Sequence, residues 1–160
     1  MEPFSQLISN KQKVYICVDV DSFFAQCDAR KLGLDNSIPL VSVQWRLVIS
    51  ANYAARAFGV KNQMKLEDAK KLCPQMIISH ADTFKTGEVI LDPYQTDINE
   101  KLKSHDKNKE KVSLEHYRSE ADRIFSILEK YSPIVDKASF DEAFLDVTDQ
   151  AIEYYKNNYV

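Results

Sequence analysis

Two acidic clusters and one Tyr–Arg pair carry most of the chemistry this sequence can do. Asp19 and Asp21 follow directly on the apolar run VYICV at 14–18. Side chains alternate along a strand, so Asp19 and Asp21 share a face wherever the strand continues, while Val20 faces the other way. Carboxylates at the end of a buried strand cost free energy unless something compensates them. A divalent cation is one compensation, because hard oxygen donors suit Mg²⁺. Capping of the next helix, or contact with water, is the other. The second cluster is SFDEAFLD at 139–146, where Asp141 and Glu142 precede an apolar strand. Alone, these acids also read as solvated turn residues. Together, the clusters put acids at one end of each of two strands. If the strands are neighbours, three or four carboxylates converge. That arrangement suits a two-metal site for phosphoryl chemistry, with ions about 3.5–4 Å apart.

Tyr53 and Arg56 stand at i and i+3 and so share a helix face. A phenol and a guanidinium side by side can grip phosphate oxygens, the arginine bidentately. A core tyrosine beside a surface arginine is the plainer reading. Phe23 and Phe24 read equally as core aromatics. His80, His105 and His116 have no metal-site spacing, and no nucleophile is paired with them.

The elements that must position these residues follow from pattern. The chain has 160 residues and 44% apolar side chains, enough for a packed core. Only Gly33, Gly59 and Gly87 are glycines, so neither G-x-G-x-x-G nor a Walker-type loop can be built. The net charge of −3 gives no overall basic signature for nucleic acid. Cys17, Cys27 and Cys73 lack C-x-x-C spacing, which argues against a zinc ribbon and a disulfide framework and for reduced, buried thiols. The first ten residues have no secretory pattern, and no apolar run approaches the length of a membrane span.

The pattern predicts a buried strand at 14–18, then a helix capped by Ser22 and stopped by Gly33. Strands are expected at 39–44 and 46–51, and a helix from Tyr53 to Phe58 closed by Gly59. A short helix at 66–73 ends at Pro74, and a strand follows at 76–79. Residues 85–113 are polar and read as a surface insertion or partly disordered loop. Tyr117, Ala121, Ile124, Phe125, Leu128 and Tyr131 mark one apolar face of a helix. A strand at 143–147 and a helix at 149–159, with Asp149 near its cap, complete the chain. Helices and strands mixed in this order indicate an α/β or α+β fold, with a split βαβ arrangement as one solution.

VDVDSFF (18–24), SANYAARAFGV (50–60), DAKKLCP (68–74) and KASFDEAFLDVT (137–148) occur in the order seen in Y-family (UmuC-like) translesion DNA polymerases. The sequence most resembles the eta branch, over residues 14–84 and 112–150. The resemblance implies a partial palm, a ferredoxin-like mixed sheet with helices, at 1–22 and 85–160, including the polar insertion at 85–113. It implies a small fingers subdomain at 23–84. It makes Asp19, Asp141 and Glu142 catalytic carboxylates and metal ligands, joined by the Val20 carbonyl. They would hold two Mg²⁺ ions, with Mn²⁺ as a substitute, one acting at the primer 3′-hydroxyl and the other at the triphosphate. Phe24 takes the place of the steric gate against a ribose 2′-hydroxyl, and Phe23 lines the same pocket. Tyr53 and Arg56 match residues that grip the triphosphate, and Gln44 one that contacts the templating base. Asp21 reads as a supporting acid.

Departures accompany the match. Asn62, at a nucleotide-binding position, stands where the eta branch commonly has an arginine over the base. The loop between Gln44 and Tyr53 is shorter than in some members of that family. The thumb and little finger of the family are not in this sequence, which makes it an N-terminal piece expected to bind DNA weakly and to polymerise little alone. Primer-template DNA and a deoxynucleoside triphosphate are the implied partners, with a sliding clamp bound through regions not present here and the nucleus as the implied location. Two other readings compete. One is a non-catalytic fragment or interaction module. The other is a haloacid-dehalogenase-like phosphatase, which also places D-x-D after an apolar strand. Acids lying before the second strand, and the Tyr-x-x-Arg helix, speak against the phosphatase.

Overall fold

The computed structural model describes residues 13–85, 88–90 and 108–159. In chain order the elements are β1 (Tyr15–Asp19), α1 (Phe23–Lys31), β2 (Leu40–Gln44), β3 (Leu47–Ala51), α2 (Tyr53–Arg56), α3 (Leu66–Leu72) and β4 (Ile77–His80). They continue with β5 (Thr83–Lys85), β6 (Glu88–Ile90), β7 (Lys111–Val112), α4 (Glu115–Leu128), β8 (Val135–Lys137), β9 (Glu142–Asp146) and α5 (Thr148–Tyr159). This is the mixed α/β class expected from the sequence. The described residues fall into two compact units, one up to Asp21 together with Ser119 onward, the other Ser22–Arg118.

The Ser22–Arg118 unit is built on a three-stranded sheet of order β3-β2-β4, in which β2 runs antiparallel to β3 and parallel to β4. Both faces of β2 are covered, which explains its nearly unbroken apolar sequence LVSVQ. Val41 and Val43 pack with Val48, Ala55, Leu66, Ala69 and Cys73, so α2 and α3 close one face. Leu40 packs with Ala25 and Ala29 of α1. Ser42, two residues on and therefore on the Leu40 side, hydrogen bonds Asp28 of α1. Gly33, at φ +65°, directly follows the C-cap Leu32 of α1, whereas α2 stops at Arg56 rather than running to Phe58, and Gly59, at φ +89°, ends the turn after it. A second sheet, of order β6-β5-β7, takes in part of the segment read from sequence as a polar insertion. The remainder of that segment, 86–87 and 91–107, lies outside the described residues.

The other unit contains an antiparallel sheet of order β1-β9-β8. Its core includes Ala121, Phe125, Ala143, Leu145 and Val147, all buried. Here one expectation fails. The run read as a buried strand is open: Tyr15 and Ile16 are 58% and 48% exposed, and Cys17 is exposed, whereas Cys27 and Cys73 are buried. Apolar composition fixes that a strand forms, but not that both of its faces are covered. Tyr131 lies past the end of α4 and is also exposed, so it leaves the apolar face that 117–128 supply. No helix among the described residues is long and apolar enough to cross a membrane.

Candidate active site

β1 and β9 place the acidic clusters at one end of one antiparallel ladder. Their register pairs Tyr15 with Asp146, Cys17 with Phe144 and Asp19 with Glu142. Residues directly opposite in such a ladder project to the same face, with Cβ atoms about 4.5–5.5 Å apart. Asp19 and Glu142 therefore share a face. The pairing extends one step further, because the Val20 N–H donates to the Asp141 carbonyl at 2.9 Å. Asp141 and Glu142 are half-buried and Asp19 is exposed. The Ser139 hydroxyl donates to Asp141 Oδ1 at 2.5 Å and orients that carboxylate.

Two other acids of the clusters stand apart in role. β1 ends at Asp19, so Asp21 falls in a turn and strand alternation no longer governs it. Asp146 sits at the far end of β9 from Glu142. Its Oδ1 accepts from the Thr148 hydroxyl at 2.6 Å and N–H at 3.1 Å, and its Oδ2 accepts from Lys13 Nζ at 3.0 Å. Thr148 and then Lys13 hold its carboxyl at about 2. It anchors the start of α5. Among the described residues no three Asp, Glu, His or Cys side chains gather tightly enough to enclose an ion. The backbone register sets Asp19 opposite Glu142, with Asp141 next to it in sequence, and carboxylate oxygens of this kind are hard donors that suit Mg²⁺.

The second set of candidate residues belongs to the Ser22–Arg118 unit. Asn52 caps α2: its Oδ1 accepts from the Ala55 N–H at 2.9 Å and from the Leu40 N–H at 3.0 Å. One turn of helix then presents Tyr53 and Arg56 together, with the guanidinium carbon 5.3 Å from the phenol ring centre. Arg56 Nε donates to the Ala51 carbonyl at 2.8 Å. Arg56, Gly59, Val60, Lys61 and Asn62 line an open depression of about 420 Å³. Asn62 Oδ1 accepts from the Ala51 N–H at 3.2 Å, so this side chain is tied back to β3.

Ser22 occupies the expected N-cap position of α1, but its side chain does not cap. Its φ of 53° turns the hydroxyl away from the helix amides, and Oγ donates to the Ala51 carbonyl instead. Phe23 is buried and Phe24 is half-buried, their rings edge to face at 5.5 Å. Tyr117 meets the Phe24 ring at 4.6 Å, again edge to face. The Tyr117 hydroxyl donates to Asp28 at 3.1 Å, and the Ser42 hydroxyl donates to the same carboxylate. Burial pushes the Asp28 carboxyl above its ordinary range, against hydrogen bonds from Ser42, Ser79 and Tyr117. Burial, then Asp28, pushes the Tyr117 hydroxyl upward, so it stays a donor. Sequence reading missed Asp28; an acid on the apolar face of a helix was the available signal.

Gln44, half-buried, ends β2 beside a turn that starts with Trp45 at φ 57°. His80 Nε2 accepts from the Trp45 N–H at 2.9 Å while Nδ1 meets the Ala81 carbonyl at 2.6 Å. Both ring nitrogens are thereby engaged, and the imidazole fixes the turn that carries Gln44.

The impB/mucB/samB family model matches residues 18–159. The chain belongs to that family, the UmuC-like domain of Y-family polymerases. It is 37% identical over 139 residues to the N-acetyltransferase eso1 of Schizosaccharomyces pombe, covering 85% of this chain and 15% of that protein. It is 35% identical over 133 residues to DNA polymerase eta of Saccharomyces cerevisiae, covering 81% of this chain and 21% of that one. To human DNA polymerase iota it is 29% identical over 137 residues, covering 86% and 14%. The chain therefore spans a small part of the length of the relatives it matches.

Proposed function

We propose that this chain carries the metal-binding and nucleotide-gripping part of a DNA-directed DNA polymerase of the translesion, eta type. The observation that carries the reading is the register of Asp19 against Glu142, with Val20 bonded to Asp141, in a member of this family. The carboxylates of Asp19, Asp141 and Glu142 and the carbonyl of Val20 would hold two Mg²⁺ ions, or Mn²⁺ in their place. Bound there, the ions supply Lewis acidity to the attacking hydroxyl and the leaving pyrophosphate. Ser139 keeps Asp141 aimed.

Tyr53 and Arg56 bind the triphosphate, the guanidinium through its Nη pair, since Nε serves the Ala51 carbonyl. Phe24 excludes a ribose 2′-hydroxyl, with Phe23 behind it. Gln44 meets the templating base, and Asn62 lies on the nucleotide side. In family terms the palm comprises 1–22 and 85–160 and the fingers 23–84. Primer-template DNA and deoxynucleoside triphosphate are the substrates, a sliding clamp binds through regions outside this chain, and the work is done in the nucleus.

The test is Mg²⁺-dependent deoxynucleotide incorporation on a primed template, by this chain and by the longest form its gene encodes. The longer form should incorporate, and its Asp141→Ala variant should not. Equal incorporation by the two would remove the metal assignment. Bypass of an ultraviolet photoproduct, compared with an undamaged template, tests the eta assignment.

A further inference from the structure

Ala51 is fully buried at the end of β3, and its backbone meets three other segments. Its carbonyl accepts from Ser22 Oγ at 2.9 Å and from Arg56 Nε at 2.8 Å. Its N–H donates to Asn62 Oδ1 at 3.2 Å. A carbonyl oxygen has two lone pairs, and both are engaged. Ser22 is itself buried and holds φ 53°, ψ 35°, immediately before α1. That region is unfavourable for a residue with a Cβ and persists where surrounding contacts enforce it. The bond to Ala51 is such a contact. Two residues further on, α1 presents Phe24.

We propose that Ser22 is a positioning residue for nucleotide selection. Through the shared Ala51 carbonyl, it couples the start of the Phe24 helix to the direction of the Arg56 guanidinium. Loss of the hydroxyl leaves the carbonyl to Arg56 alone and lets the backbone at 22 relax. Both the phosphate-facing arginine and the sugar-facing ring then shift. The functional half of the proposal rests on the polymerase reading above; the shared acceptor does not.

Ser22→Ala and Ser22→Gly both test the hydroxyl, the second without backbone strain. Both lose the donor, but only glycine accepts a positive φ without strain. The first measurement needs no activity. NMR of the Arg56 Nε–H and of the Phe24 ring should show shifted signals in both variants; unchanged signals overturn the coupling. The second is primer extension by the longest form of the protein. Both variants should raise KM for the deoxynucleotide about tenfold, keep kcat within about threefold, and lower the deoxy-over-ribo preference about tenfold. In an Arg56→Lys background, which lacks Nε, the KM effect of Ser22→Ala should shrink. A Ser22→Gly protein with normal KM and preference would overturn the proposal. Failure of the unaltered protein to incorporate nucleotide counts against the polymerase reading, and the NMR result then decides the positioning role by itself.

Discussion

Asp19 and Glu142 face each other across the β1–β9 ladder, one step before its closing bond from the Val20 N–H to the Asp141 carbonyl. Neither is drawn into an ion pair by a lysine or arginine among the described residues' salt bridges. Two like charges held on one face by a backbone ladder repel, and a divalent cation converts that repulsion into binding. Asp19→Asn and Glu142→Gln should therefore each weaken Mn²⁺ binding, measured by water-proton relaxation, at least about tenfold. Their melting temperatures should hold or rise. Unchanged Mn²⁺ affinity in both variants would remove this end of the ladder as a cation site.

The Tyr117–Asp28 bond gives a pH-dependent prediction. Burial raises the Asp28 carboxyl in the folded chain above its ordinary 3.8, and the Tyr117 hydroxyl opposes that rise. A raised acid means that the folded state holds its proton longer, so stability falls as pH climbs through the folded value. Tyr117→Phe removes a donor from the ionised form. It should cost about 1–2 kcal/mol near neutral pH and less once Asp28 is protonated. Melting temperatures of Tyr117→Phe and the unaltered chain at pH 7.5 and 4.5 check this. A gap that widens at pH 4.5 would contradict it.

Much of this framework is legible in sequence because its signals are local. PLVSVQ announces a strand, though not that both its faces are covered, and Gly33 and Gly59 mark where two helices have ended. The order of acids and strands anticipates the Asp19–Glu142 end. What escapes is what depends on partners distant in the chain. The short strands Thr83–Lys85 and Lys111–Val112 exist by pairing with each other, not by propensity. Ser22 has the right residue type for a cap, but the nearby Ala51 carbonyl competes for its hydroxyl and wins. Asp146 lies in the same motif as Asp141 and Glu142, yet β9 carries it to the opposite end.

That displaced acid has its own signature. Thr148 and then Lys13 hold the Asp146 carboxyl at about 2, below its ordinary 3.8. A depressed acid stabilises the fold while ionised, so its contribution is complete above the unfolded value and is lost as pH falls from 3.8 toward 2. Thr148→Ala should raise the Asp146 value and move the onset of acid unfolding to higher pH. NMR titration of the Asp146 side chain, with thermal melts between pH 5 and 2, reads both. An Asp146 that titrates near 4 in the unaltered chain would contradict the assignment.

Phe24 offers the sharpest functional prediction, because its ring is held on two sides. Phe23 meets it at 5.5 Å and Tyr117 at 4.6 Å, both edge to face. A ring fixed in this way cannot swing aside for an added hydroxyl without breaking aromatic contacts worth about 0.5–1.5 kcal/mol each. Phe24→Val removes the ring plane but keeps an apolar side chain at the start of α1. In the longest form of the protein, ribonucleotide incorporation should rise by at least about tenfold while deoxynucleotide incorporation falls less than that. Tyr117→Phe keeps the edge-to-face ring and should retain most of the discrimination. Gel assays with matched deoxy- and ribonucleotides give both ratios. If Phe24→Val discriminates as well as the unaltered protein, sugar selection lies elsewhere and the role given to Phe24 is wrong.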